Sequence, residues 1–351
     1  MEPPIEYARA SDGVTIAYTT NGSGPPMVWL PPVPFSNIVA QWQIPLLRSA
    51  YEGLGLHLRV VLYDGRGTGQ SQREVEDLGL EAMIRDLEAV VSSARLGRFA
   101  LFGYYHSCLL AIAYAAAHPR QVTRLVLFGG AARGWDAMAP AETQALLSLI
   151  ERDWDLFTDA AAHAWLGWSA GDTGRLMADA FRTATTPAMA RSMLRLARET
   201  DVSSDLPLIR VPALVLHRQG ERQIPVDVSR GLAAALPSGT LVELAGSTAT
   251  LFVEDLEGDI KVLVDFLTDG VVQPRTPPQH RGARSRASDD LTPRELDVLR
   301  LVAGGDSNAE VAHRLGLSVH TVERHLANLY PKIGARGRAD ATAFAIRRGI
   351  V

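Results

Sequence analysis

The sequence from Leu101 to Pro119 is LFGYYHSCLLAIAYAAAHP, and it indicates how the first part of the chain folds. An apolar run ends at Gly103 and a helical pattern begins at Ser107, so the stretch predicts a strand, a sharp turn and a helix. Many enzymes place a nucleophilic serine at such a turn, in the pattern G-x-S-x-G. In this chain Tyr105 stands at the central position. The stretch therefore predicts a turn built for a nucleophile, with a tyrosine in its place.

Tyr105 fits the apex of this turn better than the nearby Ser107. The turn brings strand and helix close together, so the residues two positions before and after the apex must be small. Around Tyr105 they are Gly103 and Ser107, whereas around Ser107 they are Tyr105 and Leu109. A phenol is bulky and has an ordinary pKa of about 10, so it replaces a serine hydroxyl poorly. Tyrosine nucleophiles exist, and a hydrolase that uses Tyr105 stays open as an alternative.

Composition and charge limit the classes of protein. The chain has 351 residues, of which 47% are hydrophobic, and this predicts a globular protein of about two domains. The net charge of −4 means that nucleic-acid binding must come from a local patch. The start of the chain lacks a leader pattern, and no apolar run has the length of a membrane span. Cys108 is the single cysteine, which excludes an intramolecular disulfide. We expect a cytoplasmic protein without a membrane partner.

The chain divides into three patterns. Up to about residue 270, short apolar runs alternate with helical patterns, which predicts a mainly parallel sheet covered on both faces. Within this part, residues 135–206 show helical patterns and many aromatic side chains, which predicts an inserted helical cap. Residues 271–290 are rich in Pro and Arg and predict a flexible linker. We therefore predict one domain over 1–270 and a purely helical domain over 291–351.

The last predicted domain contains clear signals for the starts of three helices. Thr292 and Glu295 have the spacing of a capping box, and Ser307 and Ser318 are suitable N-caps for two further helices. Gly316 lies in the short turn between those two helices. Two short helices joined by such a turn predict a helix-turn-helix motif.

The third of these helices has one apolar and one polar face. The polar face and its flanks are candidates to enter a DNA major groove: His320, Thr321, Glu323, Arg324, His325, Ala327, Asn328 and Lys332. Arg324 can donate two hydrogen bonds to guanine, Asn328 can pair with adenine, and Glu323 can accept from cytosine. Thr321, His325 and Lys332 flank the face and are better placed for phosphates. On the pattern alone, a small helical bundle for protein contacts is the alternative.

Residues 291–351 resemble the LuxR-type DNA-binding domain over their whole length. The motifs LTPRELDVLRLVAGG, SNAEVAHRLGLSVHTVERHLANLY and AIRRGIV carry the resemblance. It implies an all-α domain of four helices that binds double-stranded DNA, a fourth helix at about Arg338 to Arg348 that supports a homodimer, and RNA polymerase as a further partner. Pro331 departs from the family pattern, and a proline inside a helix removes a hydrogen bond. We therefore expect a disturbed last turn around Lys332.

Residues 1–270 resemble the α/β-hydrolase superfamily. The motif YDGRGTGQS, from Tyr63 to Ser71, is similar to its D-x-R-G-x-G-x-S loop, and VPALVLHRQGERQIPV is similar to the strand and loop that present the catalytic acid. The resemblance implies an α/β fold with a mainly parallel sheet and a helical cap. It also implies that Glu221 stands at the acid position and Ala249 at the position of the catalytic histidine.

The resemblance further implies that catalysis is lost. A serine-type mechanism needs a base that an acid orients, and no histidine lies between His217 and His280. The usual His-Gly of the oxyanion region is Pro31-Pro32, although the N–H groups of Val33 and His106 can still form a hole. A base recruited from His106 or His163 is the alternative.

The superfamily places its pocket between sheet and cap, above the nucleophile turn, and apolar pockets with a few polar groups bind small molecules. We expect a small apolar or aromatic effector to contact these residues: Tyr105, His106, Val33, Glu221, Ala249, Trp154 and Trp165. The alternatives are ordinary packing for the cap aromatics and a solvated loop for Glu221. No metal-ligand spacing or phosphate loop is present, so we expect no metal and no cofactor.

Together these patterns predict a one-component transcriptional regulator. Its hydrolase-like domain is expected to be non-catalytic and to sense the small-molecule effector. Two alternatives remain: an active hydrolase fused to a DNA-binding domain, and a protein-interaction sensor whose pocket is filled by side chains.

Overall fold

This computed structural model describes residues 3–138, 141–166, 171–221, 223–268 and 291–333, with Ala335, Arg338, Ala341, Ala345 and Ile350. The chain forms two compact units, Met1–Pro274 and Arg275–Val351. The predicted linker, 271–290, lies outside the described residues, and so does most of the predicted fourth helix between Arg338 and Arg348. Both therefore stay predictions.

The first unit is built on a β-sheet. Its strands are β1 (Glu6–Arg9), β2 (Thr15–Asn21), β3 (Pro26–Trp29), β4 (Arg59–Tyr63), β5 (Phe99–Tyr104), β6 (Val122–Phe128), β7 (Ala213–Arg218) and β8 (Gly239–Leu244). In the described residues they form one sheet in the order β1-β2-β4-β3-β5-β6-β7-β8. β2 pairs antiparallel with β1 and β4, and the other neighbours are parallel. β5 and β7 are buried along their whole length, as strands covered on both faces must be. The predicted mainly parallel sheet is confirmed.

Helices connect these strands. They are α1 (Ile38–Gln43), α2 (Pro45–Gly55), α3 (Leu80–Ser93), α4 (Ser107–Ala117), α5 (Gly134–Met138), α6 (Ala141–Leu147), α7 (Trp154–Leu166), α8 (Gly171–Ala184), α9 (Pro187–Glu199), α10 (Val226–Ala235) and α11 (Leu256–Thr268). The stretch from α5 to α9 is inserted between β6 and β7 and is the helical cap. Phe181 of α8 stacks on Phe35, with ring centroids 4.1 Å apart, so the cap is packed on the loop that follows β3.

The second unit contains the helices α12 (Pro293–Ala303), α13 (Asn308–Leu315) and α14 (Val319–Ile333). Complete capping boxes start α12, through Thr292 and Glu295, and α13, through Ser307 and Glu310. Gly316 ends α13 with φ of +63°, a left-handed conformation that glycine adopts at low cost. The core of the second unit consists of these apolar residues: Leu291, Val298, Leu299, Val302, Val311, Ala312, Val322, Leu326, Leu329, Ala341 and Ala345.

The expected disturbance at Pro331 is not observed, because α14 continues to Ile333. The missing hydrogen bond falls in the last turn, and that turn is held to α12. Lys332 Nζ donates to both carboxylate oxygens of Glu295, at 2.8 and 2.9 Å. A tertiary ion pair therefore supports the turn that the proline weakens.

Candidate functional site

The turn between β5 and α4 has the geometry of a nucleophile elbow with Tyr105 at its apex. Tyr105 has φ of +50°, a conformation that is uncommon outside glycine and typical of strained functional turns. A Cβ at Gly103 would lie 2.9 Å from the Ala111 Cβ and 3.0 Å from the Cys108 Cα, so only glycine fits there. Ser107 is buried, and its hydroxyl accepts the N–H of Tyr104 at 2.8 Å. The nearby serine is therefore part of the turn and not its apex.

The apex side chain bonds directly to the residue at the acid position. Tyr105 Oη donates to Glu221 Oε2 at 2.6 Å, and Glu221 Oε1 accepts the N–H of Gln223 at 2.7 Å. In a serine-type triad the base lies between nucleophile and acid. Here the longer phenol spans that gap itself. Burial, and then the charge of Glu221, raise the pKa of Tyr105 well above its ordinary value, so its proton stays on the phenol.

Ala249 stands where the base would be, and the structure binds its loop to Tyr104. Ala249 is 2% exposed, and its carbonyl oxygen accepts a hydrogen bond from Tyr104 Oη at 2.9 Å. The same phenol lies 3.2 Å from Thr250 Oγ1. Tyr104 and Thr250 were not among the predicted site residues. The only signal was their position beside Tyr105 and Ala249.

His106 and His163, the two histidines considered as recruited bases, do not form a hydrogen bond with Tyr105 in the described residues. His106 Nδ1 is buried without a partner in the described residues, and burial lowers the His106 pKa to about 4. His163 Nδ1 donates to the carbonyl oxygen of Asp159 at 2.7 Å. The phenol of Tyr105 donates to Glu221 and not to a histidine. The described residues therefore contain no triad around Tyr105.

A cavity of about 130 Å³ lies above the elbow, beneath the cap. Four of the predicted ligand-binding residues line it: Val33, Tyr105, His106 and Trp165. The indole of Trp165 stacks on the Tyr105 ring at a centroid distance of 5.7 Å and an angle of 15°. The other predicted residues lie outside the lining: Glu221 bonds Tyr105, Ala249 bonds Tyr104, and Trp154 packs 6.4 Å from Phe35. Lining residues that the prediction missed include Phe35, Phe157, Leu194 and Gln223.

The end of α7 is tied to the two loops that carry Glu221 and Ala249. Gln223 Nε2 donates to the carbonyl oxygen of Ala164 at 3.0 Å, and Thr250 Oγ1 donates to that of Trp165 at 2.9 Å. The last carbonyls of a helix have no partner within the helix, so they need such donors. The cap above the cavity is thus bonded to the loops that carry Glu221 and Ala249.

In the second unit, α14 presents the predicted polar face. His320, Glu323, Arg324, Ala327 and Asn328 are exposed, whereas Thr321 and His325 are half-buried. Val322, Leu326 and Leu329 are buried on the opposite side. The face expected to enter a major groove is therefore accessible in this unit.

Lys332, predicted to contact a phosphate, has an ionic partner within this unit. Its ammonium group is bonded to Glu295, which is 4% exposed. A buried carboxylate needs a partner, so the pair is part of the structure of this unit. The residue pattern of α14 predicted Lys332 to lie beside the face that contacts DNA. That pattern could not show the ion pair, because Glu295 lies on another helix, α12.

The described residues hold neither a candidate metal cluster nor a candidate membrane span. Within those residues no group of three or more His, Cys, Asp or Glu side chains could hold a metal ion. None of the described helices is long and apolar enough to cross a membrane.

Comparison with known proteins matches both parts of the chain. Residues 36–256 match the family model of the alpha/beta hydrolase fold, and residues 289–345 match that of bacterial regulatory proteins, luxR family. The AB hydrolase superfamily protein YisY of Bacillus subtilis is 24% identical over 270 residues, 74% of this chain and 98% of YisY. The transcriptional regulatory protein MctR of Rhizobium johnstonii is 30% identical over 148 residues, 42% of this chain and 63% of MctR.

Solved structures agree on the fold. The crystal structure of the enol-lactonase from Burkholderia xenovorans superposes with a TM-score of 0.64 at 22% identity, covering 75% of this chain and all of that enzyme. At this identity the likeness concerns the fold alone. The chain belongs to the alpha/beta hydrolase fold family and joins this domain to a carboxy-terminal helix-turn-helix domain of the luxR family of bacterial regulatory proteins.

Proposed function

We propose that this protein is a one-component transcriptional regulator whose hydrolase-like domain binds a small effector without hydrolysing it. The observation that carries the proposal is the hydrogen bond between Tyr105 and Glu221. It joins the nucleophile position to the acid position and leaves no place for a base between them.

Two properties of this arrangement work against catalysis. A nucleophile must be activated by a lowered pKa or by an adjacent base, whereas the pKa of Tyr105 is raised by burial and by Glu221. The base position holds Ala249, which has no titratable group. The domain has a cavity above the elbow but lacks the proton transfers that a hydrolase needs.

The cavity is what favours a small-molecule effector over a protein partner as the signal. A pocket filled by side chains would leave no space above Tyr105, yet a cavity of about 130 Å³ remains there. Its lining is mainly apolar with a few polar groups, which is the usual form of a ligand site.

The second unit supplies the output of the proposed regulator. The exposed face of α14 reads base edges in the major groove of double-stranded DNA, with Arg324, Asn328 and Glu323 as specifying residues. Motifs of this type bind paired half-sites, so the regulator acts as a homodimer, with RNA polymerase as its further partner.

Selection of bound sequences from a random DNA pool tests this proposal. The full-length protein is expected to enrich one motif, and the Arg324→Ala variant is expected to lose the preference at one guanine. Enrichment of no motif by the folded wild-type protein would contradict the regulator. A motif that is identical for both proteins would remove Arg324 from the specifying residues.

A further inference from the structure

The cavity over Tyr105 has a neutral lining. None of its described lining residues is Asp, Glu, Lys or Arg. A bound carboxylate or ammonium would lose its hydration there without a compensating charge. The site therefore favours an uncharged ligand.

The size of the cavity limits the ligand further. An engineered protein cavity of about 150 Å³ binds benzene, and the present cavity measures about 130 Å³. Trp165 and Phe157 offer aromatic and apolar surface on the cap side. The ligand body that fits is apolar and about the size of one ring.

Some polar groups of the cavity are already engaged inside the protein. The phenol proton of Tyr105 is donated to Glu221, and Gln223 Nε2 donates to the carbonyl oxygen of Ala164. His106 is different. It is one of the residues that line the cavity next to the apex, and its Nδ1 is enclosed without a partner in the described residues.

The proton of the His106 ring can be assigned from these surroundings. Burial lowers its pKa to about 4, so the ring is neutral near pH 7 and carries one N–H. An N–H buried without an acceptor is rarer in proteins than an under-satisfied acceptor. We therefore place the proton on Nε2 and the free lone pair on the enclosed Nδ1.

We propose that His106 is the polar anchor of the effector site. Its Nε2–H donates a hydrogen bond to the carbonyl or hydroxyl oxygen of an uncharged ligand, whose apolar body of about one ring packs against Trp165. This inference rests on the proposed function of the cavity as an effector pocket. His106, Val33 and Pro34 also line a neighbouring cavity of about 50 Å³, so His106 lies between the two spaces.

Three probes of similar size separate the parts of this proposal. Acetophenone has a ring and a neutral oxygen acceptor, ethylbenzene lacks the oxygen, and benzoate carries a charge. The binding of each to the full-length protein is measured through the rise in unfolding midpoint at equal free concentrations, because a ligand that binds only the native state stabilises it. Acetophenone is expected to bind about tenfold more tightly than ethylbenzene, the usual effect of one hydrogen bond, and benzoate is expected not to bind.

Variants assign the preference to His106. The His106→Phe variant is expected to bind acetophenone and ethylbenzene equally, whereas His106→Gln keeps a neutral N–H donor and is expected to keep part of the preference. The control His57→Phe makes the same exchange at an exposed position and is expected to behave as wild type. If His106→Phe fails to fold, His106→Leu replaces it.

Each other outcome overturns a defined part. Two outcomes contradict the role of His106 as the hydrogen-bond donor but leave the cavity as a ligand site. They are equal binding of acetophenone and ethylbenzene to the wild-type protein, and an unchanged preference in His106→Phe. Tightest binding of benzoate overturns the neutral ligand class. Binding of none of the three probes by a folded protein that still enriches a DNA motif contradicts the effector pocket and leaves the DNA-binding part of the proposed function standing.

Discussion

The phenol oxygen of Tyr105 lies 2.6 Å from Oε2 of Glu221, although the two residues are 116 positions apart in the chain. This contact joins the position of the nucleophile to that of the acid by a single hydrogen bond. It keeps the elbow and the acid loop together while leaving the phenol protonated.

Removing the phenol oxygen should weaken the first unit. Tyr105→Phe takes one donor from the carboxylate of Glu221, and the expected loss is about 1–3 kcal/mol of unfolding free energy. Urea denaturation of the full-length protein measures it. The matched control is Tyr114→Phe, which removes a phenol donor from the neutral amide oxygen of Gln121. A smaller loss for Tyr105→Phe than for this control would speak against a charge-assisted bond.

Arg324→Ala should change DNA specificity. Loss of two hydrogen bonds to guanine is expected to cost about 1–3 kcal/mol at one position of the selected motif, with other positions unaffected. Fluorescence anisotropy with the motif and its single-base variants measures this. Ala327→Ser, on the same exposed face, serves as a control for general disturbance of α14. A uniform loss over all sequences would assign Arg324 to phosphates instead.

Lys332→Ala should act on stability rather than on DNA. The change leaves the buried carboxylate of Glu295 without its ammonium partner, and the expected loss is about 1–2 kcal/mol because Lys332 itself is partly exposed. The double variant Lys332→Ala with Glu295→Gln is expected to recover part of the loss. Thermal unfolding measures both. The slope of DNA affinity against salt is expected to stay as in wild type, and a slope lower by about one unit would restore Lys332 as a phosphate contact.

Acid should destabilise the first unit through His106. Its pKa is about 4 in the folded protein and 6.5 ordinarily, so between these values the unfolded chain binds more protons than the native state. The stability contributed by the neutral ring is therefore complete above pH 6.5 and is lost as pH falls towards 4, by up to about 3 kcal/mol. His106→Gln should flatten this part of the curve of unfolding free energy against pH. An equal acid loss in wild type and variant would assign the effect to other groups.

The features that local sequence determines were predictable. Residue size and the spacing of apolar residues within one segment predict three of these features. They are the strand, turn and helix around Tyr105, the need for Gly103, and the buried and exposed faces of α14. The Lys332–Glu295 pair was not predictable, because its members are 37 positions apart and meet only when α12 and α14 pack. The bonds of Gln223 and Thr250 to the end of α7 were missed for the same reason.

Turnover of p-nitrophenyl acetate by the full-length protein decides whether the first unit is catalytic. Equal, background rates are expected for wild type and Tyr105→Phe, since Tyr105 stays protonated and Ala249 supplies no base. Turnover by the wild-type protein that disappears in Tyr105→Phe would show a working tyrosine nucleophile and would contradict a non-catalytic sensor.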